Sequence, residues 1–334
     1  MTTLYLTEQN SVLRKSGNRL IVQKQNETLF DIQCHKIDAV LIFGNVQVTT
    51  QAVTTLLENG IEMAILSRTG RLKGQITSPA TKNIALRLEQ FRKYHDDAFR
   101  LSLSKQIVIG KLVNSLNFIR RFSYNHPETD SGFEAQAIET AIKTAESAEN
   151  IEQLMGVEGS AAKNYFGAFG KMILGSLGFP GRRKRPPTDP VNAMLSLSYT
   201  MIFNEISSLL DGLGFDPYLG YFHSVDYGRA SLASDLMEEF RAPIADRLIL
   251  NLVNKRVFAE KDFFINMQNK GVYFQPESLK RYFKEYEKHI NRQFVHPETK
   301  EQTTLRKCFR IQAEKMASTI QNNTPYVPFF SELM

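Results

Sequence analysis

The chain has 334 residues, 42% hydrophobic and 23% charged, with a formal net charge of +6. That length suggests about two domains around a sizeable core, and that composition excludes disordered and fibrous classes. No apolar run approaches the roughly 20 residues of a bilayer span, so no membrane association is expected. The first residues lack the basic and apolar regions of a secretory signal. Cys34 and Cys308 fit no metal or redox spacing, so a cytoplasmic protein with two buried free thiols is expected.

Residues 1–77 read as a small β-rich domain. Thr3–Leu6, 20–25, 28–33 and Ala39–Phe43 are short β-prone runs, separated by turn chemistry at Ser16-Gly17-Asn18 and Gln25-Asn26. A short helix over Thr50–Glu58 carries Ala52, Val53, Leu56 and Leu57 on one side and stops at Asn59-Gly60. Another strand follows at 61–66, then a basic turn at 68–74 and a last short strand. Many short strands predict a sandwich-like or curled sheet in place of a βαβ unit. His35 has no converging acids and reads as an ordinary histidine.

Ser78-Pro79 breaks the pattern, which makes residues 78–84 a linker. From there the period is helical. Ile84, Leu88, Phe91 and His95 form one stripe, and Ile107, Leu112, Leu116 and Ile119 a second. Residues 85–334 are therefore expected to form a larger all-α domain, giving an α+β protein with the β-domain in front. Charge alternates along this region. Residues 79–126 carry nine Lys/Arg and three Asp/Glu, among them Lys105 and Lys111; residues 127–158 carry one and eight. Residues 159–200 then carry six and one, and residues 201–240 one and seven. Solvated helix faces explain any single block. The alternation as a whole suits an acidic metal site flanked by surfaces that hold phosphates.

Glu158 is expected to start a helix whose apolar face is Ala161, Ala162, Tyr165, Phe166 and Phe169. That spacing puts its carboxylate on the buried stripe, where an unpaired charge is costly and calls for a cation. A first-turn glutamate facing the helix dipole is the alternative. Next, Arg182, Arg183, Lys184 and Arg185 precede Pro186-Pro187. These four cations read as an exposed loop, either a phosphate clamp or simply solvated. Asp189 before Pro190 is an N-cap followed by a proline at the first helical position.

Gly212, Gly214 and Gly220 bracket an aromatic loop that ends at His223. A histidine beside aromatic residues is often a packed core residue. Here an acidic helix follows, with Asp235, Glu238, Glu239 and then Arg241. Asp235 and Glu238 share a helix face. A histidine with carboxylates from two elements suits a hard or borderline divalent metal. A capping box, D-x-x-E, explains the same two acids without any metal. Glu239 reads as a solvent-side residue, Asp226 as a bystander, and Pro243 as a bend. The region after Ala259 reads as helical and basic. The apolar tail Pro325-Tyr326-Val327-Pro328-Phe329-Phe330 reads as a strap or docking peptide.

Four ordered stretches carry a resemblance. They are M-G-V-E-G-S-A-A-K-N-Y-F from Met155, R-P-P-T-D-P-V-N-A-M-L-S from Arg185, G-F-D-P-Y-L-G-Y-F-H from Gly214 and D-L-M-E-E-F-R from Asp235. Together they resemble the CRISPR-associated adaptation endonuclease family, the integrases that insert new spacers; the start and the tail look most like the type I-C version. The resemblance covers essentially the whole chain.

It implies a catalytic Mn²⁺ or Mg²⁺ held by Glu158, His223 and Glu238, with Asp235 as an accessory carboxylate. DNA contacts then fall to Arg182, Arg183, Lys184, Arg185 and Arg241. It also implies a homodimer through the β-domain and a heterohexamer with a small ferredoxin-like partner. An iron–sulfur exonuclease that trims the substrate is a further implied partner. The expected reaction is transesterification of DNA by a 3′-OH. A non-catalytic DNA-binding scaffold, or a metal-dependent nuclease on RNA or branched DNA, remains the alternative at this level.

Overall fold

The computed structural model describes residues 3–70, 72–77 and 83–331. The break expected at Ser78-Pro79 lies outside the described residues. The chain forms two compact units: residues 1–80 with 276–284, and residues 81–275 with 285–334.

The first unit holds two four-stranded sheets. Strands are β1 (Thr3–Leu6), β2 (Val12–Ser16), β3 (Arg19–Lys24), β4 (Glu27–Gln33), β5 (Ala39–Phe43), β6 (Gln47–Val48), β7 (Glu62–Leu66) and β8 (Leu72–Ile76), with α1 at Thr50–Glu58. One sheet has the order β4-β3-β2-β6, the other β1-β5-β7-β8. The short runs β2 and β6 carry too little alternation to be read from sequence. The expected exclusion of a βαβ unit is corrected here: β5 pairs β7 in parallel, Ala39 opposite Glu62. α1 supplies the crossover that a parallel pair requires. β5 is apolar throughout because both its faces are covered, with Val40, Leu41, Ile42 and Phe43 all buried. Both sheets feed one core, which includes Leu13, Leu20, Val40, Ile42, Leu56 and Met63. Residues 276–284 close this unit, Phe283 stacking on Tyr5 at 4.4 Å.

The second unit is mostly helical: α2 (Ile84–Tyr94), α3 (Asp97–Asn125), α4 (Gly132–Ser147), α5 (Ile151–Lys171), α6 (Pro190–Leu213), α7 (Ser231–Met237) and α8 (Arg247–Asn254). Helix α9 (Pro276–Ile290) begins in the first unit, and α10 (Leu305–Asn322) closes the series. It is not all-α as expected. β9 (Phe263–Ile265) pairs β10 (Val272–Phe274), and β11 (Gln293–Val295) pairs β12 (Gln302–Thr304). Three-residue strands are too short to show a period of two. Asp189 caps α6 as expected, accepting from the Asn192 N–H at 2.8 Å. Between α7 and α8 the chain passes through a tight turn at Glu238–Phe240 and a π-helical turn at Arg241–Asp246. The latter contains Pro243, which cannot donate to a regular helix. The tail is a strap, with Tyr326 and Phe329 buried. Both cysteines are free and buried. Among the described residues no helix is long and apolar enough to cross a membrane.

Candidate functional site

Side chains from α3, α5, the 220s loop and the turn after α7 meet at one place in the helical unit. Glu158 comes from α5. Asn150 caps that helix by accepting from the Gln153 N–H at 2.9 Å, so Glu158 lies mid-helix and does not start it. The dipole explanation fails, because that effect fades beyond the first turn. Leu154 and Ala161, four before and three after, are both buried, which places Glu158 on the inward stripe.

Asp235 is not a cap either. α7 begins at Ser231 with no side-chain cap, and the Asp235 carboxylate turns back onto the preceding loop. It accepts from the backbone N–H groups of Tyr221 at 2.6 Å, Phe222 at 3.1 Å and His223 at 2.9 Å. His223 Nδ1 lies 2.7 Å from Asp235 Oδ1. With an acceptor there, Nδ1 carries the hydrogen and Nε2 keeps its lone pair. Nε2 faces Glu238 Oε1 at 3.8 Å. Gly220 permits this fold-back: a Cβ on it would come within 2.7 Å of Ser231 and 2.8 Å of Asp235 Oδ2.

Glu238 is 3% exposed. Its Oε2 lies 2.8 Å from Lys111 Nζ and 2.9 Å from Arg241 Nε, yet neither contact is aligned as a hydrogen bond. Burial alone would raise the Glu238 carboxyl, but the Arg241 guanidinium and the Lys111 ammonium hold it well below the usual carboxylate range. Lys111 pairs with Glu158 as well. Burial would lower its ammonium, and the two glutamates more than offset that. By charge pattern alone Lys111 is one cation of the basic block at 79–126. The signal was present: Lys111 follows buried Leu103 and Ile107 at four-residue steps, the inward stripe of α3.

Two carboxylates and an imidazole nitrogen are donors of the kind that Mn²⁺ and Mg²⁺ accept. The Glu238 oxygen without an aligned donor and the His223 nitrogen freed by Asp235 fit such an ion. As placed, no three His, Cys, Asp or Glu side chains among the described residues are grouped to hold one; the Lys111 ammonium stands between the two glutamates.

The basic loop divides. Arg182 is not a free cation: its guanidinium donates to Asn192 Oδ1 at 2.8 Å, the Arg183 carbonyl at 2.8 Å and Ser196 Oγ at 3.2 Å. It also lies over the Tyr199 ring at 5.2 Å. Arg183, Lys184 and Arg185 are exposed. Lys184 keeps one side to solvent, yet loss of some hydration, with Arg241 and Lys111 nearby, lowers its ammonium; those neighbours and Glu238 place it beside the carboxylate site. Arg241 packs over the same Tyr199 ring at 4.6 Å. Beneath them Asp246 is buried and accepts from Tyr165 at 2.6 Å and from Tyr199.

Glu239 is not the solvent-side residue expected. It is fully buried and bonded to Tyr326, Phe329 and Gln312. Asp226 stays exposed beside Arg229, 3.6 Å away.

A family model described as CRISPR associated protein Cas1 matches residues 4–288. The chain belongs to this family. A Thermus thermophilus CRISPR-associated endonuclease Cas1 is 34% identical over 98% of this chain and 96% of its own. A Geobacter sulfurreducens exonuclease Cas4/endonuclease Cas1 fusion is 29% identical over 98% of this chain and 60% of its own length. Among solved structures, a casposase bound to integration product shares the fold, with a TM-score of 0.89 at 20% identity. That match covers 100% of this chain and 94% of the casposase. One chain of a Cas6-RT-Cas1–Cas2 complex matches with a TM-score of 0.84 and 25% identity, over 100% of this chain and 36% of that one.

Proposed function

We propose that the chain is a divalent-metal-dependent DNA endonuclease and integrase of the spacer-inserting kind. The observation that carries this is the orientation of His223 by Asp235: a half-buried imidazole whose Nε2 is turned to Glu238, which shares Lys111 with Glu158. Glu158, Glu238 and His223 Nε2 would hold Mn²⁺ or Mg²⁺. Such an ion, when bound, stabilises charge on a phosphoryl oxygen and lowers the pKa of an attacking hydroxyl.

The protein's own work is positioning. Asp235 fixes the ring and the tautomer of His223, while Lys111, Arg241 and Lys184 supply positive charge beside the carboxylates for the attacked phosphate. The attacking 3′-OH forms one P–O bond as the in-line P–O bond breaks; its proton passes to solvent, and the displaced oxygen of the attacked strand leaves and takes up a proton from solvent. Arg183, Lys184 and Arg185 form the exposed part of a DNA backbone contact; Arg182 braces that loop from inside.

The proposed assembly is a homodimer that joins a small CRISPR adaptation partner, as the Cas1–Cas2 complex among the structural relatives suggests. The Geobacter fusion supports an exonuclease as a further partner, and a type I-C setting is part of the same reading. Half-site integration with the partner present tests the proposal. Glu158→Ala should abolish joining and leave DNA binding nearly intact; undiminished joining by that variant would sink it.

A further inference from the structure

A second cleft, separate from the carboxylate site, opens in the helical unit with a volume of about 470 Å³, inside the usual range for small-ligand pockets. Two helix faces build it. Asn117, Phe118, Arg121, Phe122 and Asn125 recur on one face of α3, and Arg247, Leu250, Asn251 and Asn254 on one face of α8. Pro243, in the π-helical turn, lines it, while Arg241 of the same turn pairs with Glu238 in the other site.

The charge in this cleft is unbalanced. Arg121, Arg247 and Lys255 line it, and among the described residues no Asp or Glu does. Among the described residues no carboxylate ion-pairs with the half-buried Arg247 or with Arg121 and the nearby Arg292, whereas the more deeply buried Arg306 is held by Glu205 and Glu287. Burial first, then repulsion from Arg121 and Arg292, lowers the Arg247 guanidinium to about 10. An unpaired, half-buried guanidinium beside two others costs stability, which is a reason to expect an anion there.

The remaining lining narrows the anion. Phe122 stacks on His126 at 4.3 Å, both rings lining the cleft, and flat apolar faces of this kind accept nucleobases. Asn117, Asn125 and Asn251 carry side-chain amides, which offer both donor and acceptor to a base edge. Guanidinium forks match phosphate oxygens. We infer that this cleft binds a nucleoside 5′-phosphate, with Arg121 and Arg247 on the phosphate and the Phe122–His126 side on the base. Its source is either a free nucleotide or the 5′-phosphorylated end of a DNA strand.

The test is calorimetry on the full-length chain in EDTA, titrated with adenosine 5′-monophosphate, adenosine, inorganic phosphate and a 5′-phosphorylated pentanucleotide. The monophosphate should bind one site saturably, and losing either half of it should weaken binding about tenfold to hundredfold. Displacement of the monophosphate by the pentanucleotide assigns the site to a strand end; no displacement assigns it to a free nucleotide.

Arg247→Gln should abolish binding, leave Mn²⁺ binding at the carboxylate site unchanged, and melt at or above the wild-type temperature, because it removes a repelled charge. Glu158→Gln should bind the monophosphate as wild type does, which separates this site from the one proposed above. The inference is overturned if phosphate alone binds as tightly as the monophosphate, if Glu158→Gln loses binding, or if Arg247→Gln binds normally or melts well below wild type.

Discussion

Glu239 accepts a hydrogen bond from the backbone N–H of Phe329 at 2.6 Å, across 90 positions of sequence. Asn114 donates to the carbonyls of both residues at 2.8 Å, and Phe329 stacks on Phe240 at 5.4 Å. Gly110 lets the strap lie close, since a Cβ there would fall 2.6 Å from the Pro328 Cβ. The tail thus clamps the two residues that follow Glu238. Phe329→Ala should cost about 3–5 kcal/mol, the usual range for emptying a buried aromatic site, as measured by urea denaturation. It should also weaken joining, because the backbone that presents Glu238 loosens. A stable variant with full joining would show that the strap does not support the site.

Asp235→Asn keeps the shape of the side chain and can still accept some of the loop N–H groups. It weakens the hold on the His223 Nδ1 hydrogen. Loss of such a partner behind a metal-binding histidine typically costs about 10- to 100-fold in metal affinity or activity. Mn²⁺ calorimetry and the joining assay should both show that drop, with DNA binding unchanged. A drop in neither would make the Asp235–His223 contact purely structural.

Lys111→Met leaves Glu158 and Glu238 facing each other without their shared ammonium. Breaking a buried ion pair by removing one partner costs about 3–5 kcal/mol, so this variant should melt well below wild type in EDTA. Divalent ions should restore much of that loss, because the variant gives them the place between the carboxylates without competition. Equal melting of variant and wild type in EDTA would show that Lys111 does not neutralise the two acids.

His289 gives a pH dependence. Burial first, helped by Arg247 and Arg292, lowers its imidazole from 6.5 to about 4 in the folded protein. Between those values the unfolded chain binds a proton that the folded chain refuses, so stability falls as pH drops from about 6.5 to 4. Denaturation at stepped pH should show a shallower acid loss for His289→Gln than for wild type. Parallel curves would place His289 in a more open environment than its packing against Pro243 implies.

The basic loop should split by function. Replacing Arg183, Lys184 and Arg185 with Gln should reduce the salt dependence of duplex DNA binding by about 0.9 in log–log slope for each phosphate the loop no longer neutralises. Arg182→Ala should instead lower stability by about 2 kcal/mol, the scale of hydrogen bonds to a charged group, because its guanidinium is spent on Asn192, Ser196 and the Arg183 carbonyl. An unchanged melting temperature for Arg182→Ala would return that residue to the exposed set.

Much of this protein is determined by local sequence. Apolar spacing marks α3 and α5, and for α2 it marks the helix but not its buried face, since Ile84, Leu88 and Phe91 are exposed; Asp189-Pro190 marks the start of α6, and four ordered motifs mark the family and single out Glu158, His223 and Glu238. These are readings of neighbours within one or two helical turns, where period and capping chemistry act directly.

The tertiary structure alone decided what the neighbouring acids do. Asp235 and Glu238 have capping-box spacing, yet Asp235 turns back to bind three N–H groups of another segment. Glu239 looked free and is buried under a tail 90 residues away. Lys111 looked like one cation among several and joins two acids from other elements. A carboxylate or ammonium in a buried place takes whichever partner removes the cost of its charge, and that partner is set by how distant helices pack, which no local period records.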